Sequence, residues 1–281
     1  MSQNYIYTST NNNKISITTF GNENLENKNC IIFVHGFKGF KDWGFIPYQA
    51  KYFSEKGYFV ITFNFSHNGI GENPEEFTEL DKFAENTYSL EVSELNEIIL
   101  AYKNGFFGKT NNNTKLGLIG HSRGGAISIL SSFYTQKVDA LVTWASVSNF
   151  ERYTERQITD WKKKGYFEVL NSRTNQIMKL NISFLHDIER NKDTSLNIKN
   201  ALRAIKIPHL IIHGTEDLAV KIDEAEHLYK WSDKKNTELL KINGTGHTFD
   251  IKHPFENSSK AFDKVLVNTK LFFSKYMEFI K

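Results

Sequence analysis

The chain has one cysteine among its 281 residues, Cys30, so an internal disulfide and a cysteine-rich zinc site are both excluded. Cys30 opens the apolar run Cys30-Ile31-Ile32-Phe33-Val34 and reads as a buried structural thiol. No apolar stretch approaches the ~20 residues that a membrane-spanning helix requires. The first residues, Met1-Ser2-Gln3-Asn4-Tyr5, lack a basic flank followed by an apolar core, so no secretory signal is visible. A cytoplasmic protein with no membrane partner is the expectation. An excess of charge of either sign is also missing: Lys plus Arg is 35 and Asp plus Glu is 32, a formal net charge of +3. The longest basic run, Lys162-Lys163-Lys164, is too short for a polybasic anchor, and the even balance argues against a nucleic-acid partner. There is no internal repeat and no long low-complexity segment.

What is present is enough apolar and aromatic content, 40% and 14%, to bury a large core. Tyr5–Thr10 and Lys14–Phe20 alternate as an antiparallel hairpin would. Nearly continuous apolar runs follow at Ile31–His35, Tyr58–Asn64, Leu116–Ile119, Ala140–Trp144, Leu210–His213 and Glu238–Ile242, as expected of strands covered on both faces. Helical patterns fall between them, at Pro47–Lys56, Phe83–Lys103, Gly124–Tyr134, Ile222–Trp231 and Ser259–Ile280. This alternation predicts an α/β fold with a mainly parallel sheet. From Phe150 to about Arg203 the rhythm breaks. Helices are expected there over Glu151–Lys164, Glu168–Leu180, Ile182–Arg190 and Asn197–Ala204. Residues 150–205 are therefore taken as a helical cap on a core made of 1–149 and 206–281.

Gly120-His121-Ser122-Arg123-Gly124-Gly125 follows a strand and opens a helix. A Gly-x-Ser-x-Gly segment in that setting holds its serine on a sharp turn, with the hydroxyl standing clear above a helix N-terminus. The plainer reading of Ser122 is an N-cap. Serine is a poor nucleophile without a base. The best candidate base is His247, in Gly244-Thr245-Gly246-His247; His253, before Pro254, is its nearest rival. Asp217, just past the Leu210–His213 strand, is the candidate carboxylate for the imidazole, and the order Ser, Asp, His fits. The segment 145–149 offers no carboxylate before Glu151. A tetrahedral intermediate needs two aimed N–H donors. The amide of Arg123 is one, and the amide of Phe37, in His35-Gly36-Phe37-Lys38-Gly39, is the other, with Lys38 in reserve.

Taken in order, the His-Gly loop, the Gly-x-Ser-x-Gly elbow, the His-Gly-x-x-Asp strand end and the Gly-His loop resemble the α/β-hydrolase superfamily over nearly the whole chain. His35-Gly36-Phe37 with an insertion after the sixth strand looks most like the carboxylesterase branch that includes cinnamoyl and feruloyl esterases. The resemblance implies an eight-stranded sheet, a cap and ester hydrolysis without a cofactor or metal. One departure is Asn64-Phe65-Ser66-His67-Asn68-Gly69, where many relatives carry an Asp and Arg-Gly-His-Gly; it reads as a structural turn.

Phe40, Trp43, Trp161, Tyr166 and Phe249 are the aromatic candidates for a substrate pocket under the cap, with Phe45, Phe167 and Phe184 behind them. The expected function is a serine-dependent hydrolase acting on a small-molecule carboxylic ester through Ser122, His247 and Asp217. A serine exopeptidase or amide hydrolase would use the same machinery. A non-catalytic ligand receptor on the same fold is the alternative from another class.

Overall fold

The computed structural model describes residues 2–73 and 76–278. An antiparallel hairpin, β1 (Ser2–Thr8) and β2 (Lys14–Phe20), leads into the parallel strands β3 (Cys30–Val34), β4 (Phe59–Phe63), β5 (Leu116–His121) and β6 (Ala140–Trp144). Crossovers run through α1 (Phe45–Glu55), then α2 (Leu80–Glu85) with α3 (Tyr88–Lys103), then α4 (Arg123–Thr135). After β6 come α5 (Glu155–Lys164), a two-stranded ribbon of β7 (Tyr166–Asn171) and β8 (Gln176–Asn181), α6 (Ile182–Asn191) and α7 (Ile198–Ala204). The sheet resumes with β9 (His209–Gly214), α8 (Ile222–Trp231), β10 (Thr237–Ile242) and α9 (Lys260–Met277).

The main sheet has eight strands in the order β1-β2-β4-β3-β5-β6-β9-β10, antiparallel at β1–β2 and β2–β4 and parallel elsewhere. Its central strands feed two cores by simple alternation. Cys30, Ile32 and Val34 face the side covered by α3, α4 and α8, while Ile31 and Phe33 face α1 and α9. Burial on both faces explains why β3 and β4 contain hardly any polar residue. Burial also pushes the Cys30 thiol well above its ordinary range. The expected single helix over Phe83–Lys103 is two, because Thr87 accepts the Leu90 amide at 3.1 Å and starts α3 afresh.

The expected helix over Glu168–Leu180 does not form. The segment is the β7–β8 hairpin, paired from Tyr166↔Asn181 to Asn171↔Gln176. Phe167, Val169, Met178 and Leu180 alternate with the exposed Glu168, Leu170, Ile177 and Lys179, a period of two. The turn between the strands carries an Asn171 side chain that accepts the Arg173 amide at 3.2 Å and a left-handed Asn175. The insert after β6 is thus helices around a hairpin. Among the described residues no helix is long and apolar enough to cross a membrane.

Candidate active site

The carboxyl ends of β3, β5 and β9 and the loop after β10 meet at one edge of the sheet, where ligands of open α/β sheets bind. Ser122 sits between β5 and α4 with φ 58° and ψ −123°. A non-glycine residue holds such a conformation only when its surroundings impose it, at a cost of about 1–3 kcal/mol. Here the glycines impose it. A Cβ on Gly120 would meet the Gly124 carbonyl oxygen at 2.4 Å, and one on Gly124 would meet the Val34 oxygen at 2.3 Å. The Ser122 amide donates to the Trp144 carbonyl at 2.9 Å and fixes the turn to β6.

The loop after β3 presses against this turn. A Cβ on Gly36 would lie 2.8 Å from Ser122 Cβ. His35, 2% exposed, orders the loop: its Nδ1 donates to the Gly36 carbonyl at 2.9 Å and its Nε2 accepts the Phe65 amide at 3.3 Å. Burial lowers its pKa to about 4, so the ring is neutral, as that pairing requires. The Gly39 amide closes the turn on Gly36 at 3.0 Å. Among the described residues, neither the Phe37 amide nor the Arg123 amide has a hydrogen-bond acceptor.

Asp217 is fully buried at its side chain and accepts three hydrogen bonds. The amides of Ala219 and Val220 reach Oδ1 at 2.9 and 2.8 Å, and His247 Nδ1 reaches Oδ2 at 2.7 Å. His213 Nε2, which donates to the Val220 carbonyl at 2.8 Å, lies 3.3 Å from the same Oδ2. Burial by itself would raise the Asp217 pKa. The ring N–H groups of His213 and His247, with the His247 charge and the Val220 amide, overcome it and hold the carboxyl well below its ordinary range. The loop bearing His247 is pinned from behind by His121, whose Nε2 meets the His247 carbonyl oxygen at 3.0 Å. Burial drives the His121 pKa down to about 3. His253 is differently engaged: its Nδ1 accepts the Gly44 amide at 2.9 Å, and its ring lies over Phe40 and Trp43.

Ser122 and His247 line both of two cavities that meet at them, about 560 and 430 Å³ in volume. The Ser122 hydroxyl makes no hydrogen bond to a protein group among the described residues, His247 included. The larger arm runs past Trp43 and Ile46 to the β7–β8 turn at Asn171, Ser172 and Arg173. The smaller runs between Tyr88, Tyr153, Val147 and Val220.

Of the five aromatic residues expected at the pocket, Trp43 lines the larger arm. Phe40 is fully buried among Phe77, His253 and the α3-side core, and Phe249 is fully buried in the opposite core. Trp161 stacks on Phe167 and Phe184 inside the insert, and Tyr166 lies under Lys179. Phe37, Tyr88 and Tyr153 line the smaller arm instead. Tyr88 falls within the helical pattern over Phe83–Lys103, and its place in the first turn of α3, at the sheet edge, is the signal that marks it. Among the described residues, no group of three or more His, Cys, Asp or Glu side chains is arranged to hold a metal.

A family model described as the α/β hydrolase fold matches residues 29–175, and one described as the C-terminal part of BAAT and acyl-CoA thioester hydrolases matches residues 108–274. No curated protein sequence matches the chain. Among solved structures, the α/β hydrolase GrgF from Penicillium sp. sh18 superposes with a TM-score of 0.74 at 15% identity, covering 99% of this chain and 100% of that one. Est1E from Butyrivibrio proteoclasticus, solved with ferulic acid bound, gives 0.70 at 19% identity over 97% and 99%. The esterase Pf2001 from Pyrococcus furiosus gives 0.66 at 18% identity over 99% and 91%.

Proposed function

The chain belongs to the α/β-hydrolase family, and from that premise we propose that it is a serine hydrolase cleaving small carboxylic esters through an acyl-enzyme intermediate. The observation that carries the reading is the buried Asp217 carboxylate bound to His247 Nδ1 at 2.7 Å, with His247 opening on the same cavities as the strained Ser122. Asp217 holds the proton on Nδ1, which leaves Nε2 free to act as base. Ser122 Oγ attacks the ester carbonyl while His247 Nε2 takes its proton. The amides of Phe37 and Arg123 receive the oxyanion. As the intermediate collapses, the C–O bond to the alcohol breaks and His247 returns the proton to the departing oxygen. Water, losing a proton to His247, then attacks the acyl-serine, and the carboxylic acid leaves as Ser122 is regenerated. Serine–histidine contacts that are loose in an empty site tighten in the substrate complex.

A second reading, cleavage of thioesters, is favoured by the family model over residues 108–274, whose description names acyl-CoA thioester hydrolases. The machinery is the same, and a matched panel of oxygen esters, thioesters and amides ranks the substrates.

The test of the nucleophile is a fluorophosphonate probe, which is expected to label the wild type and to leave Ser122→Ala unlabelled. Undiminished labelling of the variant refutes the assignment. His247→Ala is expected to lower turnover by about three to six orders of magnitude. His253→Ala, remote from proton transfer in this scheme, is expected to stay within about tenfold of wild type. The reverse ranking would move the base.

A further inference from the structure

Arg123 follows the nucleophile, and its side chain turns back into the protein. The guanidinium carbon lies 4.7 Å from the centroid of the Phe37 ring and 5.5 Å from that of Tyr88. Phe37 also stacks on Phe83 at 5.6 Å and 29°. Arg123 Nη2 meets Glu91 Oε1 at 2.7 Å, with the two side chains 7% and 1% exposed, and Asn86 Nδ2 donates to the same oxygen at 2.8 Å. Among the described residues, Arg123 Nε and Glu91 Oε2 are buried with no hydrogen-bond partner. Arginine and a carboxylate paired for strength meet through two parallel hydrogen bonds. This pair meets through a single nitrogen–oxygen contact, and its guanidinium carbon lies against an aromatic ring. A buried ion pair is weak evidence for stability in any case, because desolvation offsets its attraction.

The geometry points to Arg123 as a positioning residue: its side chain, anchored by Glu91, clamps Phe37 so that the Phe37 amide stays in register with Arg123's own. One residue thereby supplies one oxyanion donor and holds the residue that supplies the other. The inference rests on the ester-hydrolase reading above, since it gives these two amides a shared target. Donor placement matters at this scale. Loss of one oxyanion donor costs about 10²–10³ in turnover, and a misplacement of about 1 Å costs up to about 10².

The experiment measures kcat, KM and thermal midpoint on one small aryl ester for Arg123→Met/Glu91→Leu, Arg123→Lys and Phe37→Leu, with Ser122→Ala alongside. The double substitution removes both buried charges together and so leaves neither stranded. It is expected to keep its thermal midpoint within a few degrees and KM within about threefold, while kcat falls about 10–100-fold. Arg123→Lys keeps the charge and loses the planar face, so it is expected not to restore kcat. Phe37→Leu is expected to show a similar loss, and adding it to the double variant to cost nothing further. A double variant with wild-type kcat, full activity in Arg123→Lys, or losses that multiply would overturn the clamp. Should the double variant fail to fold, Arg123→Lys and Phe37→Leu decide the matter. If Ser122→Ala hydrolyses the ester like wild type, the hydrolase reading falls. If Ser122→Ala is inactive and the clamp variants match wild type, only this inference falls.

Discussion

The rings of His121 and His247 stand 4.8 Å apart, centroid to centroid, and the first donates through Nε2 to the main-chain carbonyl of the second at 3.0 Å. Two histidines thus divide the work of holding and presenting an imidazole. His247 is held at its ring by Asp217 and at its backbone by His121. His121 is itself wedged edge-on against Phe45 at 5.3 Å.

Replacing His121 by Ala removes the backbone anchor without touching a reacting group. Turnover is expected to fall about 10–100-fold with a smaller change in KM, because His247 is displaced while of the larger cavity's lining only the His121 side chain is removed. Stability is expected to drop by about 1–3 kcal/mol, since a partly buried carbonyl loses its donor. Steady-state kinetics and urea unfolding measure both. Wild-type kcat in the variant would show that the His247 loop holds itself.

Gly36→Ala is the sharpest probe of crowding. The added methyl would lie 2.8 Å from Ser122 Cβ and 3.3 Å from Ser122 Oγ, so either Ser122 or the loop carrying Phe37 must shift. Turnover is expected to fall at least about 100-fold in a chain whose far-ultraviolet spectrum and cooperative unfolding are retained. Full activity would show that this contact relaxes at no catalytic cost.

Acid is expected to destabilise the fold ahead of ordinary carboxylate titration. Burial lowers the pKa of His35 to about 4 and of His121 and His209 to about 3, from an ordinary 6.5. These rings are neutral when folded and protonate when unfolded. Their contribution is complete above pH 6.5 and is lost as pH falls toward 4 and then 3, by up to about 1.4 kcal/mol per pH unit for each. Glu94 has the opposite sign. Burial pushes its carboxyl up to about 7, so the protonated folded form favours the native state below that pH. Glu91, raised by burial as well, acts with Glu94, and His67, lowered by burial, acts with the three histidines, so four imidazoles against two carboxyls leave a net loss between pH 6 and 4.5. Urea midpoints at pH 7.5, 6 and 5 measure it, and a flat profile would contradict it.

Much of this arrangement is legible in the chain itself, for reasons that differ by element. Strands such as Ala140–Trp144 stand out because burial on both faces leaves them almost wholly apolar, with Thr143 the one polar residue in that run. Ser122, Asp217 and His247 stand out because each sits at a glycine-marked turn after a strand. The β7–β8 hairpin was hidden because Phe167, Val169, Leu170, Ile177, Met178 and Leu180 fit a helical stripe about as well as an alternating one, and the turn has no glycine. Phe40 and Phe249 read in sequence like pocket residues because a sequence does not distinguish a ring facing a cavity from one facing a core. The Arg123–Glu91 pair joins residues 32 positions apart on different helices, and no periodicity reports that. Its faint signal was a carboxylate, Glu91, beside the apolar face of Tyr88, Val92 and Leu95.

The glycines at 36, 120 and 124 leave the floor of the cleft without room for a single extra carbon. Diversification of this scaffold is therefore confined to its overhang. Residues 171–173 of the short polar bend line the larger chamber, and substitutions there are expected to change which substrates fit.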